Sequence, residues 1–258
     1  MTRLQGLRYV WLTFLLLFLF SSLLGAKTLH ARYRVEYGIV GKVADVNVTL
    51  TQNGKHYEIE AYVSAHGTLA NFVTKHLREH HLSKGYVRHG RYVTDTYAMY
   101  KRYDVFRSET LYTRKGKFNR VIKQYKKWKK NRLIIRQKYR LNYRASEDLL
   151  SFFLNLPKNV LTHPKQKKFH LRVIGADRKA GLVTCIIPSV KAYPKYEKLV
   201  GKLREGEWYA KVIMYRKLYG SKQGELELRL DRQGIVRYAV LEDLVFFGDV
   251  RIILEKLW

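Results

Sequence analysis

The sequence predicts a mainly β protein: a curled antiparallel meander sheet, or half-open barrel, of about ten strands with two or three short helices. Apolar and polar residues alternate over many short runs, and turn-forming residues separate those runs. The chain also carries 20 Tyr, a residue that favours strands. Many short strands at this spacing are typical of a meander that curls or closes into a barrel.

Strict alternation predicts the first three strands. They cover residues 31–39, 42–51 and 56–64. Asn53 and Gly54 form a strong hairpin signal between the second and third strands. These strands are therefore expected to form an antiparallel meander with short loops.

Helical spacing interrupts the strands in three places. Residues 68–78 repeat apolar side chains at helical intervals. Ser146 is the predicted N-cap of a second helix with an acidic first turn, and Pro157 is predicted to end it. A third short helix is predicted over residues 196–203. Between the first two helices, residues 83–143 are predicted to form Tyr-rich strands.

The C-terminal part of the chain is again predicted to be strands. A hairpin is expected over residues 169–175 and 181–187, followed by strands over residues 208–217, 225–231, 235–241 and 245–255. The sequence contains no internal repeat, low-complexity tract or linker. Residues 27–258 are therefore expected to form a single antiparallel β domain.

The N-terminus has the pattern of a secretory signal peptide. Two Arg residues precede an apolar run over residues 9–24, and Ala26 ends a small-residue cleavage pattern. We therefore expect residues 1–26 to be removed and the mature chain to be periplasmic. An uncleaved N-terminal anchor or peripheral membrane association is the alternative.

The chain is strongly basic, with 50 Lys and Arg against 21 Asp and Glu and a net charge of +29. Residues 114–140 contain many basic residues and no acid. An anion-binding patch is predicted at Lys123, Lys126, Lys127, Trp128, Lys129, Lys130 and Arg132. Its expected partners are anionic envelope components, either phospholipid or lipopolysaccharide headgroups. The alternative is a solvated face without a specific partner. Because the chain is expected to be exported, nucleic acid is not expected as a partner. We also expect the protein to be a monomer.

One short motif resembles a metal site. His76, Glu79 and His80 match H-x-x-E-H, in which two His on one helix face bind zinc and the Glu acts on its water. The alternative is that His76 is a half-buried packing residue on the apolar face of its helix and that His80 is a surface residue at the helix end. Asn47 lies in an N-x-T glycosylation pattern but is also an outward residue of an alternating strand.

Most other chemistry is excluded by composition. A single Cys rules out a disulfide scaffold and a Cys-based zinc site, and Cys185 is expected to be a small buried hydrophobe. Nucleophile-elbow, phosphate-loop and dinucleotide motifs are absent from the sequence. We therefore expect a non-enzymatic protein without a cofactor, with a zinc-dependent hydrolase as the lesser alternative.

Five stretches, in this order, resemble an exported bacterial family known only as domain of unknown function 3108. They are residues 33–38 (YRVEYG), 42–50 (KVADVNVTL), 68–72 (TLANF), 147–152 (EDLLSF) and the closing hairpins from residues 228–231 (LRLD) to Leu254. The resemblance implies a curled antiparallel sheet in the periplasm, like the open barrels of lipoprotein carriers. It supplies no catalytic residues, and the chain differs from a typical member in being so basic.

The expected function is binding of a lipid or another amphipathic anionic ligand in the curled sheet, with a basic rim meeting its charged group. The candidate residues lining the site are Leu69, Phe72, Val73, Leu149, Leu150, Phe152 and Phe153. The alternative for each of them is ordinary core, because a sheet of this size must be covered. A structural or protein-interaction module is the alternative function.

Overall fold

The computed structural model describes residues 26–65, 76–116, 120–163, 167–215, 224–241 and 248–258. Fifteen described strands form one sheet. They are β1 (Lys27–Tyr37), β2 (Gly41–Asn53), β3 (His56–Ala65), β4 (Arg78–Arg88), β5 (Arg91–Tyr103), β6 (Phe106–Lys115), β7 (Arg120–Lys129), β8 (Arg132–Arg144), β9 (Glu147–Asp148), β10 (Lys168–Ile174), β11 (Leu182–Ile186), β12 (Trp208–Ile213), β13 (Glu225–Leu230), β14 (Val236–Leu241) and β15 (Val250–Leu257). Two α-helices accompany them, α1 (Leu149–Leu161) and α2 (Tyr193–Val200), with 3₁₀ turns at Gly38–Val40, Arg178–Gly181 and Val190–Ala192. Within these residues, no helix combines the length and the apolar character that crossing a bilayer requires.

The strand order makes the sheet curl. It runs from β8 back to β1 and then from β15 back to β9, and neighbours are antiparallel except for the parallel pair of β9 and β10. β8 and β9 lie at opposite edges, although only Ala145 and Ser146 separate them in sequence. The sheet must therefore curl until its edges approach each other. Since the order still has two ends, the sheet is curled but not closed.

The mainly β prediction is confirmed, but the strand count is higher than the ten expected. The main difference lies in residues 83–143, where tight turns join long strands. His89, Asp104 and Lys130 adopt positive φ angles of 50°, 50° and 51° at these turns. Such angles are uncommon for residues other than Gly. The turn at Asp104 and Val105 contains neither Gly nor Pro, so the sequence analysis missed it.

The helix predicted over residues 68–78 is wrong where the structure describes it. Residues 66–75 lie outside the described residues, His76 has a φ of 56°, and β4 already begins at Arg78. Glu79 and His80 therefore lie on a strand that is hydrogen-bonded to β3 on one side and β5 on the other. This two-sided pairing prevails over the helical spacing of the sequence.

Helix α1 was predicted at the correct place but with incorrect ends. Its N-cap is Asp148 rather than Ser146, and it continues past Pro157 to Leu161. Proline inside a helix leaves the carbonyl four residues earlier without its usual donor. Here that carbonyl belongs to Phe153 and lies against Gly234, where a Cβ would come within 2.3 Å of the oxygen. A side chain at position 234 would therefore collide with this carbonyl.

The main apolar core lies between α1 and the β10–β15 part of the sheet. It includes Phe152, Leu156, Phe169, Val183, Cys185, Leu228 and Leu230, all almost fully buried. Cys185 is thus the small buried hydrophobe that the sequence predicts. Helix α2 packs Tyr196 and Val200 against Tyr209 and Val240 of the sheet. The β10–β15 part is therefore covered by helices.

Candidate functional site: a cavity inside the curled sheet

A cavity of about 950 Å³ lies inside the curl of the sheet. Strands from both the β1–β8 part and the β10–β15 part of the sheet line it, and the first turns of α1 contribute apolar side chains. The alternation of the strands explains this lining, because every second residue of a strand faces the same side.

The β2–β3 wall of the cavity is apolar. Three cross-strand pairs line it: Val46 with Val63, Val48 with Ala61, and Leu50 with Ile59. The intervening residue Asn47 is exposed on the other face. The second wall comes from β13–β15 and includes Leu226, Leu228, Val236, Ala239 and Ile252.

Asp148 holds α1 in place at the cavity. Its carboxylate accepts hydrogen bonds from the backbone N–H groups of Leu150 and Ser151 at 2.7 and 3.1 Å. It also accepts from the hydroxyls of Ser83 on β4 and Thr94 on β5. Burial raises the pKa of Asp148, while these hydrogen bonds oppose the rise. The start of the helix is thereby attached to the β4–β5 wall.

The neighbouring carboxyl group of Glu147 is also buried. The side-chain amide of Asn155 donates to it at 2.7 Å and that of Asn159 at 3.2 Å. Burial raises the pKa of Glu147 to about 7, although these hydrogen bonds lower it. Arg91 reaches the same network through the oxygen of Asn159. The network joins α1 to the beginning of β5.

A first polar group lines the cavity on β4 and β5. Glu79 lies 2.7 Å from the ammonium of Lys101 and 3.0 Å from Nε2 of His81. Nδ1 of His81 is 2.9 Å from the hydroxyl of Tyr97. Burial would raise the pKa of Glu79, but the hydrogen bonds from His81 and Lys101 lower it to about 2. Glu79 is therefore ionised at neutral pH.

A second polar group is centred on Asp177. Tyr112 donates to Asp177 at 2.6 Å and Tyr143 at 3.2 Å, and the ammonium of Lys123 contacts the same carboxylate. Burial raises the pKa of both tyrosines, and the negative charge of Asp177 adds to the rise. Asp177 lies between β10 and β11, so this group connects the β10 edge of the sheet to β6–β8.

The two polar groups and the apolar walls make the cavity amphipathic. Apolar side chains surround it on β2, β3 and α1, while charged and hydroxyl groups concentrate on β4–β8. Each lysine of the polar groups is paired with one carboxylate, so the charges of the lining are largely balanced. Such a cavity can hold an apolar chain and hydrogen-bond a polar group at its end.

The predicted ligand-lining residues are only partly brought together. Leu149, Leu150 and Phe153 line the cavity. Phe152 points instead into the apolar core, because it lies on the other face of α1. Leu69, Phe72 and Val73 lie outside the described residues.

The predicted anion-binding patch does not form one surface. Alternation along β7 places Lys123 in the cavity and Lys127 on the same face, 4.5 Å from the centre of the Phe106 ring. Lys126 and Trp128 lie on the opposite face, where the Arg107 guanidinium lies over the Trp128 ring at 4.3 Å. Lys129, Lys130 and Arg132 are exposed at the turn between β7 and β8. Residues that are neighbours in this basic stretch of the sequence therefore alternate between two faces of the sheet.

The helical premise of the zinc prediction is wrong. On β4, Glu79 faces the cavity, whereas His80 points outward and stacks on Tyr62 with ring centres 4.1 Å apart. His76 is exposed before the strand begins. The part of the chain that the structure describes contains no group of three or more His, Cys, Asp or Glu side chains that could hold a metal ion.

Sequence reasoning missed the role of Glu79, Lys101 and Asp177 in the cavity. A signal was present for Glu79 and His81, because two polar residues at a spacing of two share one face of a strand. No local pattern could reveal Asp177, since its three partners are 34–65 residues away in sequence.

Comparison with known proteins supports the fold. No protein-family model matches the chain, and no curated protein matches it. The chain is similar to the crystal structure of a β-barrel-like protein of domain of unknown function DUF1849 from Brucella abortus. The TM-score is 0.53 at 10% identity, covering 89% of this chain and 96% of that one. The protein therefore has a β-barrel-like fold that also occurs in a family of unknown function, and the comparisons do not support family 3108 in particular.

Proposed function

We propose that the protein is a non-enzymatic, exported binding protein that holds an amphipathic ligand, an acyl chain with a polar headgroup, in the cavity. The observation that carries the proposal is the combination of apolar walls and a polar end in one cavity of about 950 Å³. Small-molecule sites typically occupy about 300–1,000 Å³ and combine apolar walls with a few placed polar groups.

The two parts of the ligand would contact different parts of the lining. An acyl chain would lie against Leu50, Ile59 and Phe153, where each buried CH₂ contributes about 0.8 kcal/mol. The headgroup would lie near Lys101 and Lys123, whose positions are held by Glu79 and Asp177. The pre-formed ion pairs would reduce the cost of ordering these long side chains on binding.

The proposal is tested with two tryptophan variants on one strand. Val46 lines the cavity and Asn47 is exposed on the opposite face of β2. Val46→Trp fills the cavity and is expected to weaken binding of a dansyl-labelled fatty acid at least about tenfold. Asn47→Trp adds the same side chain outside and is expected to bind as the wild type does. Fluorescence titration measures the affinity, and near-UV circular dichroism confirms that both variants are folded.

Two results would contradict the proposal. One is a wild-type protein that binds none of a series of labelled acyl chains. The other is a folded Val46→Trp variant with unchanged affinity, since the ligand would then lie outside the cavity.

A structural or protein-interaction role is the second candidate function, and β8 is the observation that favours it. β8 is an edge strand hydrogen-bonded to β7 alone in the described sheet, and most of its residues up to Arg140 are exposed. Exposed edges can pair with a strand of another protein. If this role is correct, the Val46→Trp variant should bind its protein partner as the wild type does, because the substitution fills the cavity and leaves the β8 edge unchanged. The cavity proposal makes no such prediction.

A further inference from the structure

We infer that two adjacent hairpin turns at the rim of the cavity form a docking surface for an anionic phospholipid bilayer. This surface, the hairpin tip, consists of residues 103–106 of the β5–β6 turn and residues 128–134 of the β7–β8 turn. The inference goes beyond the proposed function, because membrane docking does not depend on what the cavity holds.

The two turns form a single surface. Phe106 pairs with Lys129 across β6 and β7, which brings the ends of both hairpins side by side. The backbone N–H of Lys130 donates to the carbonyl of Val105 at 2.6 Å, so the turns are directly hydrogen-bonded. The hairpin tip is therefore built into the sheet.

The hairpin tip exposes apolar side chains together. Val105, Leu133 and Ile134 are 36%, 43% and 45% exposed. Ile134 is the extra residue of β8 where the pairing changes from Lys127 with Ile135 to Trp128 with Leu133. A bulge of this kind at a sheet edge redirects a side chain. Exposed apolar residues on two turns that are hydrogen-bonded to each other indicate an interaction surface.

Positive charge surrounds these apolar side chains. Lys129, Lys130 and Arg132 are exposed and make no ion pair within the described part of the chain. Asp104 is the only acidic residue in the sequence of the two turns. Apolar side chains ringed by Lys and Arg match a bilayer, where the former enter the acyl boundary and the latter meet anionic headgroups.

The hairpin tip also adjoins the cavity. Tyr103 lines the cavity and pairs with Phe106 at the end of β5. Along β5, Thr94 contacts the start of α1, so the cavity extends from the helix towards the hairpin tip. A bilayer in contact with the hairpin tip would therefore lie beside the cavity rim.

Site-specific fluorescence tests which part of the surface enters the bilayer. The sequence has one Cys, and Cys185 is buried, so an introduced surface thiol can be labelled selectively. Ile134→Cys and Leu161→Cys, the latter at the exposed end of α1, carry the same environment-sensitive fluorophore in the full chain. With vesicles of equal parts phosphatidylglycerol and phosphatidylcholine, the label at position 134 is expected to shift to the blue and the label at 161 to stay unchanged. Equal shifts at both positions, or none at either, would overturn the inference.

Paired variants separate docking by the hairpin tip from attraction to the net charge of the chain. The double variant Leu133→Asp/Ile134→Asp is expected to lower the affinity for vesicles, measured by co-sedimentation, at least about tenfold. The control double variant Leu161→Asp/Val190→Asp is expected to lower this affinity much less. Lys129→Glu with Arg132→Glu is expected to lower it at least about fivefold per residue, and Lys191→Glu with Lys198→Glu much less. The Glu pair provides an independent test if the Asp pair does not fold.

Equal losses in the hairpin-tip variants and their controls would show diffuse electrostatic attraction and overturn the inference. Equal binding of the wild type to pure phosphatidylcholine vesicles would also overturn it, because the surface would then not select anionic lipid. Binding of soluble glycerol phosphate with no binding to vesicles would identify a free phosphate compound rather than a bilayer as the ligand, and would likewise overturn it.

Discussion

The β10–β15 and β4–β8 parts of the sheet bury their inner faces in different ways. The β10–β15 part packs Leu228 and its neighbours in one apolar cluster with Phe152 and Leu156 of α1. The β4–β8 part instead uses Tyr97 and Tyr112, whose hydroxyls bond to polar side chains within the lining. The first arrangement gives the cavity an apolar wall, whereas the second places polar groups in its lining.

The difference shows what tyrosine contributes to the cavity. A leucine at position 97 or 112 would place no polar group in the lining. Tyrosine covers the sheet with an apolar ring and places a hydroxyl at the end, where it needs a partner when buried. The cavity can therefore have an amphipathic lining without buried unsatisfied groups on these tyrosines. Three substitutions test this comparison, from the largest expected effect to the smallest.

Asp148→Ala removes the residue that joins the two parts of the sheet through α1. We expect the free energy of unfolding to fall by about 4 kcal/mol, because a helix N-cap and buried hydrogen bonds to Ser83 and Thr94 are lost together. Ser146→Ala, at the exposed residue that the sequence predicts as the cap, is the control and should change stability by less than about 0.5 kcal/mol. Urea denaturation measures both. Equal effects would mean that the cap is not at Asp148.

Leu228→Ala tests the apolar part of the sheet. Leu228 is 1% exposed in the main core, so we expect a loss of about 3 kcal/mol from the cavity that the substitution creates. Leu111→Ala makes the same change at a 37% exposed position on β6 and should cost less than about 0.5 kcal/mol. The same denaturation experiment compares them. A similar cost at both sites would contradict the burial of Leu228 in the apolar core.

Glu147→Gln tests the buried hydrogen-bond network of Glu147 through the pH dependence of stability. The pKa of Glu147 is raised to about 7 by burial, so its contribution to stability is fully present below its unfolded pKa and is lost as pH rises through 7. Between pH 5 and pH 8 the wild type should lose about 2 kcal/mol through this group, and Glu147→Gln should lack that loss. Denaturation at several pH values measures it. As a control, Glu58→Gln on the exposed face should keep the wild-type dependence of stability on pH. If the stability of Glu147→Gln fell with pH as steeply as that of the wild type, Glu147 would not be the group responsible.

Much of the fold could be predicted from local pattern. β3 was predicted over residues 56–64 and observed at His56–Ala65, and the hairpin at Asn53 and Gly54 is present. β12, β13 and β14 begin within one residue of their predicted starts, and α1 lies in the predicted region although its ends differ. These elements are predictable because period, turn residues and caps are written within a few neighbouring residues.

The site was predicted far less well. Leu149, Leu150 and Phe153 lie on the lining of the cavity, because they are apolar residues on the helix that covers the sheet. The anion-binding patch was wrong as a single surface, because charge density along a strand does not distinguish its two faces. The zinc prediction failed at its helix for a related reason, since spacing cannot decide between helix and strand when neighbours on both sides supply hydrogen bonds.

The amino-acid sequence by itself determined the strand-rich class, the basic charge, the position of α1 and the apolar faces of β2 and β3. Each of these follows from residues close together in the chain. Tertiary structure alone decided that β8 and β9 form opposite edges of a curled sheet and that Asp177 meets Tyr112 and Lys123. It also decided that Val105 lies beside Lys130. These contacts depend on how the whole sheet curls, which is a sum of many strand pairings and is not contained in any one segment.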